Sequence, residues 1–346
     1  MKFNFKNILQ TSVLAFILMN VLLIFTEDLS RTVMIHIKPF LISIQAKEGI
    51  FIQEDENNVP IVDYGYMNGK YIGPQFNPMT VSQRVFKHNK QFLQGDSTAF
   101  QKMQNNADWL LQNATMVDSA AFLECHFPWE THNMTAPWRS GMSQGQALRA
   151  LMQVYDITGD RELLRFGKQL LNAFFIEVKD GGVTYKDDDG GWWYEECADE
   201  NGIESRILNG MMFALRGIAE YYKRTDDADA LFLFAKGMIS LKKNLGTYDN
   251  YGYSYYDISG KKAGWHYHRV HIELLDELYQ VDPAPILKEY SERWAAFLKK
   301  PFLLRAFIHP SKMAVGTLLL NFTAALFLVL TMQYFRAGKV KTSKTV

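Results

Sequence analysis

The sequence predicts a mainly α-helical protein: an (α/α) barrel or toroid of helical hairpins, with a small N-terminal β-hairpin region and a transmembrane helix on either flank. Three observations lead there. Two uncharged apolar stretches lie near the ends, a short alternating segment is rich in Asp, Asn and Gly, and an internal repeat carries helical periodicity.

The first apolar stretch, ILQTSVLAFILMNVLLIFT, runs from Ile8 to Thr26 and is long enough to cross a bilayer as a helix. It follows Lys2 and Lys6. The second, Met313 to Phe335, is also uncharged and precedes Arg336, Lys339, Lys341 and Lys344. Basic outer flanks place both termini in the cytoplasm and the residues between on the periplasmic or extracytoplasmic side. A cleavable signal peptide is the rival reading of the first stretch, but EDLSRTV after it offers no small-residue cleavage site. The expected organisation is a membrane anchor over 1–30, the β-hairpin region over 47–80, the helical domain over 81–300, and a transmembrane helix with a basic tail over 312–346.

In the β-hairpin region, GIFIQEDENNVPIVDYGYMNGKYIG alternates and is broken by ENN and NG, the pattern of strands joined by tight turns. After Pro78 the period becomes helical in VSQRVFKHNKQFL and FQKMQNNADWLLQNA. The repeat follows: ALRALMQVYDITGD from Ala147 and ALRGIAEYYKRTDD from Ala214 share Ala-Leu-Arg, a Tyr and Thr-x-Asp in register. Each precedes a second amphipathic run, and HIELLDELYQVDPAPILKEYSERWAAFL reads as a third copy. Hairpins of this kind bury their faces only against one another, hence the toroid. Two segments interrupt the helices, KDDDGGWWYEECADENG (Lys186 to Gly202) and TYDNYGYSYYDISGKKAGWHYHRVH (Thr247 to His271). Their glycine and aromatic content argues for loops, where a toroid keeps its functional groups.

Composition narrows the function. With 37 basic and 37 acidic residues the formal net charge is zero, so no bulk field favours nucleic acid, and none is expected as a partner. Aromatic residues make up 14%, which fits either a well-filled core or a cleft that stacks sugar rings. Two cysteines, Cys125 and Cys197, exclude a disulfide framework and fit no paired-cysteine zinc pattern.

PWRSGMSQGQAL, WYEE, LNGMMFAL, YYDI and WHYHRVHIELL, in that order from Pro137 to about Leu298, resemble the C-terminal domain of D-glucuronyl C5-epimerases, which invert glucuronate to iduronate within heparan-type polymers. A weaker likeness in FNPMTVSQ extends it toward the N-terminus. The resemblance implies an (α/α) barrel, an acidic polysaccharide substrate and often a homodimer. It also places the family's ring-flanking tyrosines on Tyr256 and Tyr267. A third family tyrosine falls on Cys197, and a family arginine on Ser259.

Inverting C5 of a uronate removes a proton α to a carboxylate and returns one from the opposite face. Such a site needs an acid/base group on each side and donors for the developing enolate, and no cofactor or metal. Tyr256, Tyr267 and Glu196 are the candidate catalytic groups. Glu195 and Glu196 are adjacent, so at most one should face the cleft. Cys197 is either a small apolar residue or a thiolate base in place of the missing tyrosine. His266 and His268 flank Tyr267 and offer a charge that would lower its pKa. His268 and His271, three apart, could pair on one helix face to hold metal, or hydrogen-bond substrate or tyrosine; no third ligand completes a metal site. Asn209 either orients a sugar carboxylate or caps its helix. Arg139 and Gln146, sharing a helix face with Met142, are candidates for substrate contact. Trp138 and Trp193 are either stacking platforms or core. A lyase, which begins with the same proton abstraction, and a non-catalytic polysaccharide-binding or export protein are the competing functions.

Overall fold

The computed structural model describes residues 5–43 and 50–342, and the chain divides into two compact units, 47–296 and the pair of segments 1–46 and 297–346. Lys2, residues 47–49 and Lys344 lie outside the described residues. The protein is mainly helical, with several small sheets.

Helix α1 (Phe5–Ser43) opens the chain and continues well past the apolar stretch. The larger unit starts with β1 (Phe51–Glu54), β2 (Pro60–Asp63), the short β3 (Tyr66–Met67) and β4 (Lys70–Tyr71), and β5 (Pro74–Phe76). β1, β2 and β5 form an antiparallel sheet. Asn77 then caps α2 (Pro78–Leu93), accepting from the Met79 N–H, with Pro78 pre-setting the first helical φ. Helix α3 (Thr98–Gln112) returns. A sheet of β6 (Ala114–Val117), β7 (Ala120–Cys125) and β8 (Trp138–Arg139) leads into α4 (Gly141–Thr158) and α5 (Arg161–Asn172). The hairpin β9 (Thr184–Lys186) and β10 (Trp192–Tyr194) precedes α6 (Leu208–Thr225) and α7 (Ala228–Asn244). A second small hairpin, β11 (Asp249–Asn250) and β12 (Tyr253–Ser254), precedes α8 (Trp265–Val281) and α9 (Pro285–Leu298).

The repeat has a capping explanation. Thr158 and Thr225 each donate to the carbonyl four residues back, while their hydroxyls accept the N–H of Asp160 and Asp227. Those aspartates in turn cap α5 and α7 by accepting from Glu162 and Ala230. Thr-x-Asp is therefore the joint of these two hairpins. The inner helices pack in a row, α2 on α4, α4 on α6, and α6 on α8. α4 and α6 meet backbone to backbone: a Cβ on Gly217 would lie 1.9 Å from the Gly145 carbonyl oxygen. Only glycines allow that approach, which brings the first turns of the two helices side by side.

One expectation is corrected. GWHYHRVHI is not loop: only Gly264 stays outside, and α8 starts at Trp265. From His268 onward, His271, Ile272 and Leu275 recur at helical spacing and are buried, and this apolar stripe outweighs the local aromatic content.

In the smaller unit α10 (Phe302–Ile308) leads to α11 (Lys312–Thr342). Ile8–Glu27 and Met313–Phe335 are long and apolar enough to cross a membrane. α1 and α11 pack antiparallel through Ala15, Met19, Leu23, Ala325 and Val329, with Thr26 donating to Asn321 at 2.6 Å. Arg305 forms a two-pronged ion pair with Glu27 at 2.6 and 2.7 Å.

Candidate active site

Four helix starts converge on one cavity of about 430 Å³. Its wall includes Met79 and Thr80 from α2, Met142 and Ser143 from α4, Asn209 and Phe213 from α6, and His266 and Tyr267 from α8. Between them stand Glu196, Cys197 and Tyr256. Packed with Cys197 and Tyr256 in the same wall are four aromatic side chains, Tyr64, Phe127, Trp129 and Trp138. Their rings pack edge-on or tilted at centroid distances of 4.7 to 6.2 Å. The Trp138 indole N–H donates to the Phe127 carbonyl at 2.7 Å. Among the described residues, no Lys or Arg lines the cavity. The N-terminal ends of the inner helices carry partial positive charge, and Lys261 Nζ lies 5.3 Å from the centre of the Tyr256 ring.

Glu195 and Glu196 follow β10 and part ways. Glu195 is fully buried and accepts from Ser205 Oγ and from the N–H groups of Cys197 and Arg206. Glu196 turns to the cavity and accepts only from Asn209 Nδ2, at 3.2 Å. It lies flat on the first turn of α6, where a Cβ on Gly210 would stand 2.5 Å from its own Cβ. Burial pushes the Glu196 carboxyl up to about 8, the charge of Glu195 adds to this, and the Asn209 amide opposes it. Burial likewise lifts Glu195 to about 7 against its hydrogen bonds. Asn209 Oδ1 is buried without a partner.

Tyr256 is placed by its backbone. Its carbonyl accepts the Leu208 N–H, one of the free donors at the start of α6, and its N–H donates to the Lys261 carbonyl. Its ring meets Tyr267 edge to face, with centroids 4.9 Å apart. Burial, then the Glu196 charge, raises the pKa of both phenols. Contact with Tyr256 is a smaller cause that lowers the Tyr267 phenol and raises that of Tyr256. Tyr267 is 40% exposed at the cavity mouth.

Several expectations need correction. His268 and His271 lie behind the cavity, fully buried. Ser254 Oγ sits 2.9 Å from His268 Nδ1 and 2.8 Å from His271 Nδ1, and Tyr253 stacks on His268 at 3.9 Å. The Ser254 N–H also donates to His268 Nδ1, leaving its Nε2 to donate to the Trp294 carbonyl. The pair therefore fastens the loop carrying Tyr256 to the helix carrying Tyr267, and supplies no charge beside the phenol. Burial holds His271 down at about 3, so it stays neutral. Arg139 belongs to β8, not to α4; it pairs with Glu124 and donates to the Gly181 carbonyl, outside the cavity. Gln146 is buried and accepts from Arg216. Trp193 is core, fully buried and stacked on Tyr248 at 5.9 Å. Cys197 does line the cavity, but burial and the two glutamates push its thiol well up, which disfavours a thiolate base.

Sequence reasoning missed the wall from the N-terminal region. Tyr64 accepts from Asn77 Nδ2 at 2.8 Å, and burial raises its hydroxyl to about 12. Trp129 and His132 were also missed. The available signal was ring density in HFPWETH next to a family-like motif.

A family model described as the C-terminus of D-glucuronyl C5-epimerase matches residues 119–296. The chain belongs to the D-glucuronyl C5-epimerase family. Over 256 residues it is 29% identical to an uncharacterized protein of Methanocaldococcus jannaschii, covering 68% of this chain and 82% of that one. It is 27% identical over 241 residues to the D-glucuronyl C5-epimerase of Caenorhabditis elegans, covering 63% of this chain and 37% of the relative. Among solved structures, the cellobiose 2-epimerase of Bacillus thermoamylovorans shares the fold at a TM-score of 0.51 with 10% identity, over 80% of this chain and 81% of that one. In this family member, the matched region supplies Glu196, Tyr256 and Tyr267, while Tyr64 and Asn77 come from before it.

Proposed function

We propose that this family member is a uronyl C5-epimerase acting on glucuronate residues of an acidic polysaccharide, built on an (α/α) barrel. It is held to a membrane by α1 and α11, with both ends cytoplasmic. The observation that carries the reading is the convergence of four helix starts on a cavity that also holds Glu196 and the Tyr256–Tyr267 pair. Helix starts accept a carboxylate without a lysine or arginine and draw off the charge that builds on it as C5 loses its proton. Glu196, poised near neutrality by burial, exchanges the proton on one face of the ring. Tyr267 serves the other face, and its contact with Tyr256 offsets part of the rise that burial and Glu196 impose on its pKa. Asn209 orients Glu196. The aromatic wall of Tyr64, Trp129 and Trp138 offers faces for the neighbouring sugars.

The test uses the full chain in detergent with glucuronate-containing polymers, followed by NMR of the uronate ring couplings. Iduronate should appear with chain length unchanged. Unsaturated ends absorbing in the near ultraviolet would identify a lyase instead, and an unaltered polymer that nevertheless binds would identify a carbohydrate-binding protein.

A further inference from the structure

The inner helix faces continue beyond the cavity, and their next layer is polar. Phe213 lines the cavity, and the Arg216 guanidinium lies over its ring, 4.8 Å from the centroid. Arg216 pairs with Glu277 of α8 at 2.6 Å, donates to Gln146 at 3.3 Å, and leaves its Nε buried without a partner. Beside it, at the same position of the repeat, stands Arg149 of α4. Its guanidinium covers the Phe86 ring of α2 at 4.6 Å. Arg149 is half-buried, and among the described residues nothing hydrogen-bonds it or lies within ion-pair distance.

An arginine stacked on a ring keeps its in-plane N–H fork free for a planar oxyanion. Burial and the nearby charge of Arg216 disfavour ionisation of Arg149, while Glu277 and Glu220 favour it only from a distance. Those two acids are already engaged, Glu277 by Arg216 and Glu220 by Arg224, which also holds Asp156. Among the described residues, Arg149 is thus the one arginine of this layer without a direct acidic partner. At 1.5 Å per residue it lies about 10 Å along α4 from Met142 in the cavity wall, a span comparable with a disaccharide.

We propose that Arg149, backed by Arg216, forms a second subsite that binds the carboxylate of another uronate in the chain whose neighbouring uronate is being inverted. This rests on the epimerase reading above and adds a length and charge requirement to it. Phe86 and Phe213, each under a guanidinium, hold the two arginines in place.

The test measures affinities of the full chain in detergent for glucuronate–glucosamine oligosaccharides carrying one uronate or two. Wild type should bind the two-uronate oligomer roughly ten- to a hundredfold more tightly, the range for a charge-assisted hydrogen-bond pair. Arg149→Gln should remove that gain and leave one-uronate binding unchanged. Reducing the remote carboxyl to an alcohol should do the same to wild type, an arm that needs no variant to fold. Arg149→Lys, keeping charge without the fork, should retain part of the gain. Equal affinity of wild type for both oligomers, or equal weakening of both by Arg149→Gln, overturns the subsite while C5 inversion still stands. Wild type that binds neither oligomer overturns both the subsite and the epimerase reading.

Discussion

Two polar clusters built from the same pieces of chain face in opposite directions. One is Ser254 with His268 and His271, sealed behind the cavity wall. The other is Glu196 with Asn209, Tyr256 and Tyr267, open to the cavity. Both draw on the stretch 254–256 and the first turns of α8, and the open cluster adds Glu196 and Asn209. In the sealed cluster both Nδ1 atoms find the one serine hydroxyl, and the only atom left over is His271 Nε2. In the open cluster Glu196 receives a single amide hydrogen bond, and Asn209 Oδ1 receives none. Satisfied buried polar groups fix geometry, whereas under-satisfied ones beside a cavity wait for a ligand. The difference separates scaffold from chemistry within a few residues of each other.

Breaking the open cluster should cost activity and spare the fold. Glu196→Gln keeps the shape and the contact to Asn209 but removes the exchangeable proton, so C5 inversion should fall about 100- to 10,000-fold, measured by initial rates. Its stability should respond to pH with a definite sign. Folded Glu196 holds its proton more tightly than the unfolded chain does, so its contribution to stability is fullest below about pH 4 and is lost as pH rises to about 8. Thermal melts of Glu196→Gln should decline less over that window, by about 2 kcal/mol after screening by water in the open cavity. A steeper decline would mean that the carboxyl is stabilised as an anion.

Tyr267→Phe should slow inversion about a hundredfold. Tyr256→Phe should slow it less and move the basic limb of the pH–rate profile upward, because Tyr256 acts through the Tyr267 phenolate. Equal losses with unmoved profiles would make the two phenols independent.

Breaking the sealed cluster should do the reverse. His271→Ala empties a fully buried site and leaves the Ser254 hydroxyl with His268 alone, at about 2–4 kcal/mol of stability by urea unfolding. Per folded molecule, inversion should fall less than in Glu196→Gln. A His271 variant with wild-type stability and no activity would move His271 from scaffold to chemistry. The smallest effect belongs to Cys197→Ala, within about threefold in rate, because a buried thiol beside two glutamates stays protonated.

Much of the fold was legible because its signals are local. Thr-x-Asp marks the α4–α5 and α6–α7 joints, and uncharged length marks the two apolar helices. The site was legible where a motif sat on a helix start, as for Asn209 and Tyr267, or directly after a strand, as for Glu196. It was not legible where the decision lay in packing. Nothing local separates His268 from Tyr267, or Trp193 from Trp138; one of each pair is sealed by partners far along the chain, Ser254 and Trp294 for His268, Tyr248 for Trp193. Tyr64 reaches the cavity through a tertiary contact with Asn77 that no periodicity announces.

The most direct measurement of the central claim is deuterium uptake at C5 when the full chain is incubated with glucuronate polymers in heavy water. Two-sided proton exchange through Glu196 and Tyr267 should place label at C5 in both the iduronate formed and the glucuronate recovered, with Glu196→Gln losing nearly all of it. Wild type that leaves C5 unlabelled on every glucuronate polymer, or Glu196→Gln that labels as fast as wild type, would contradict the account.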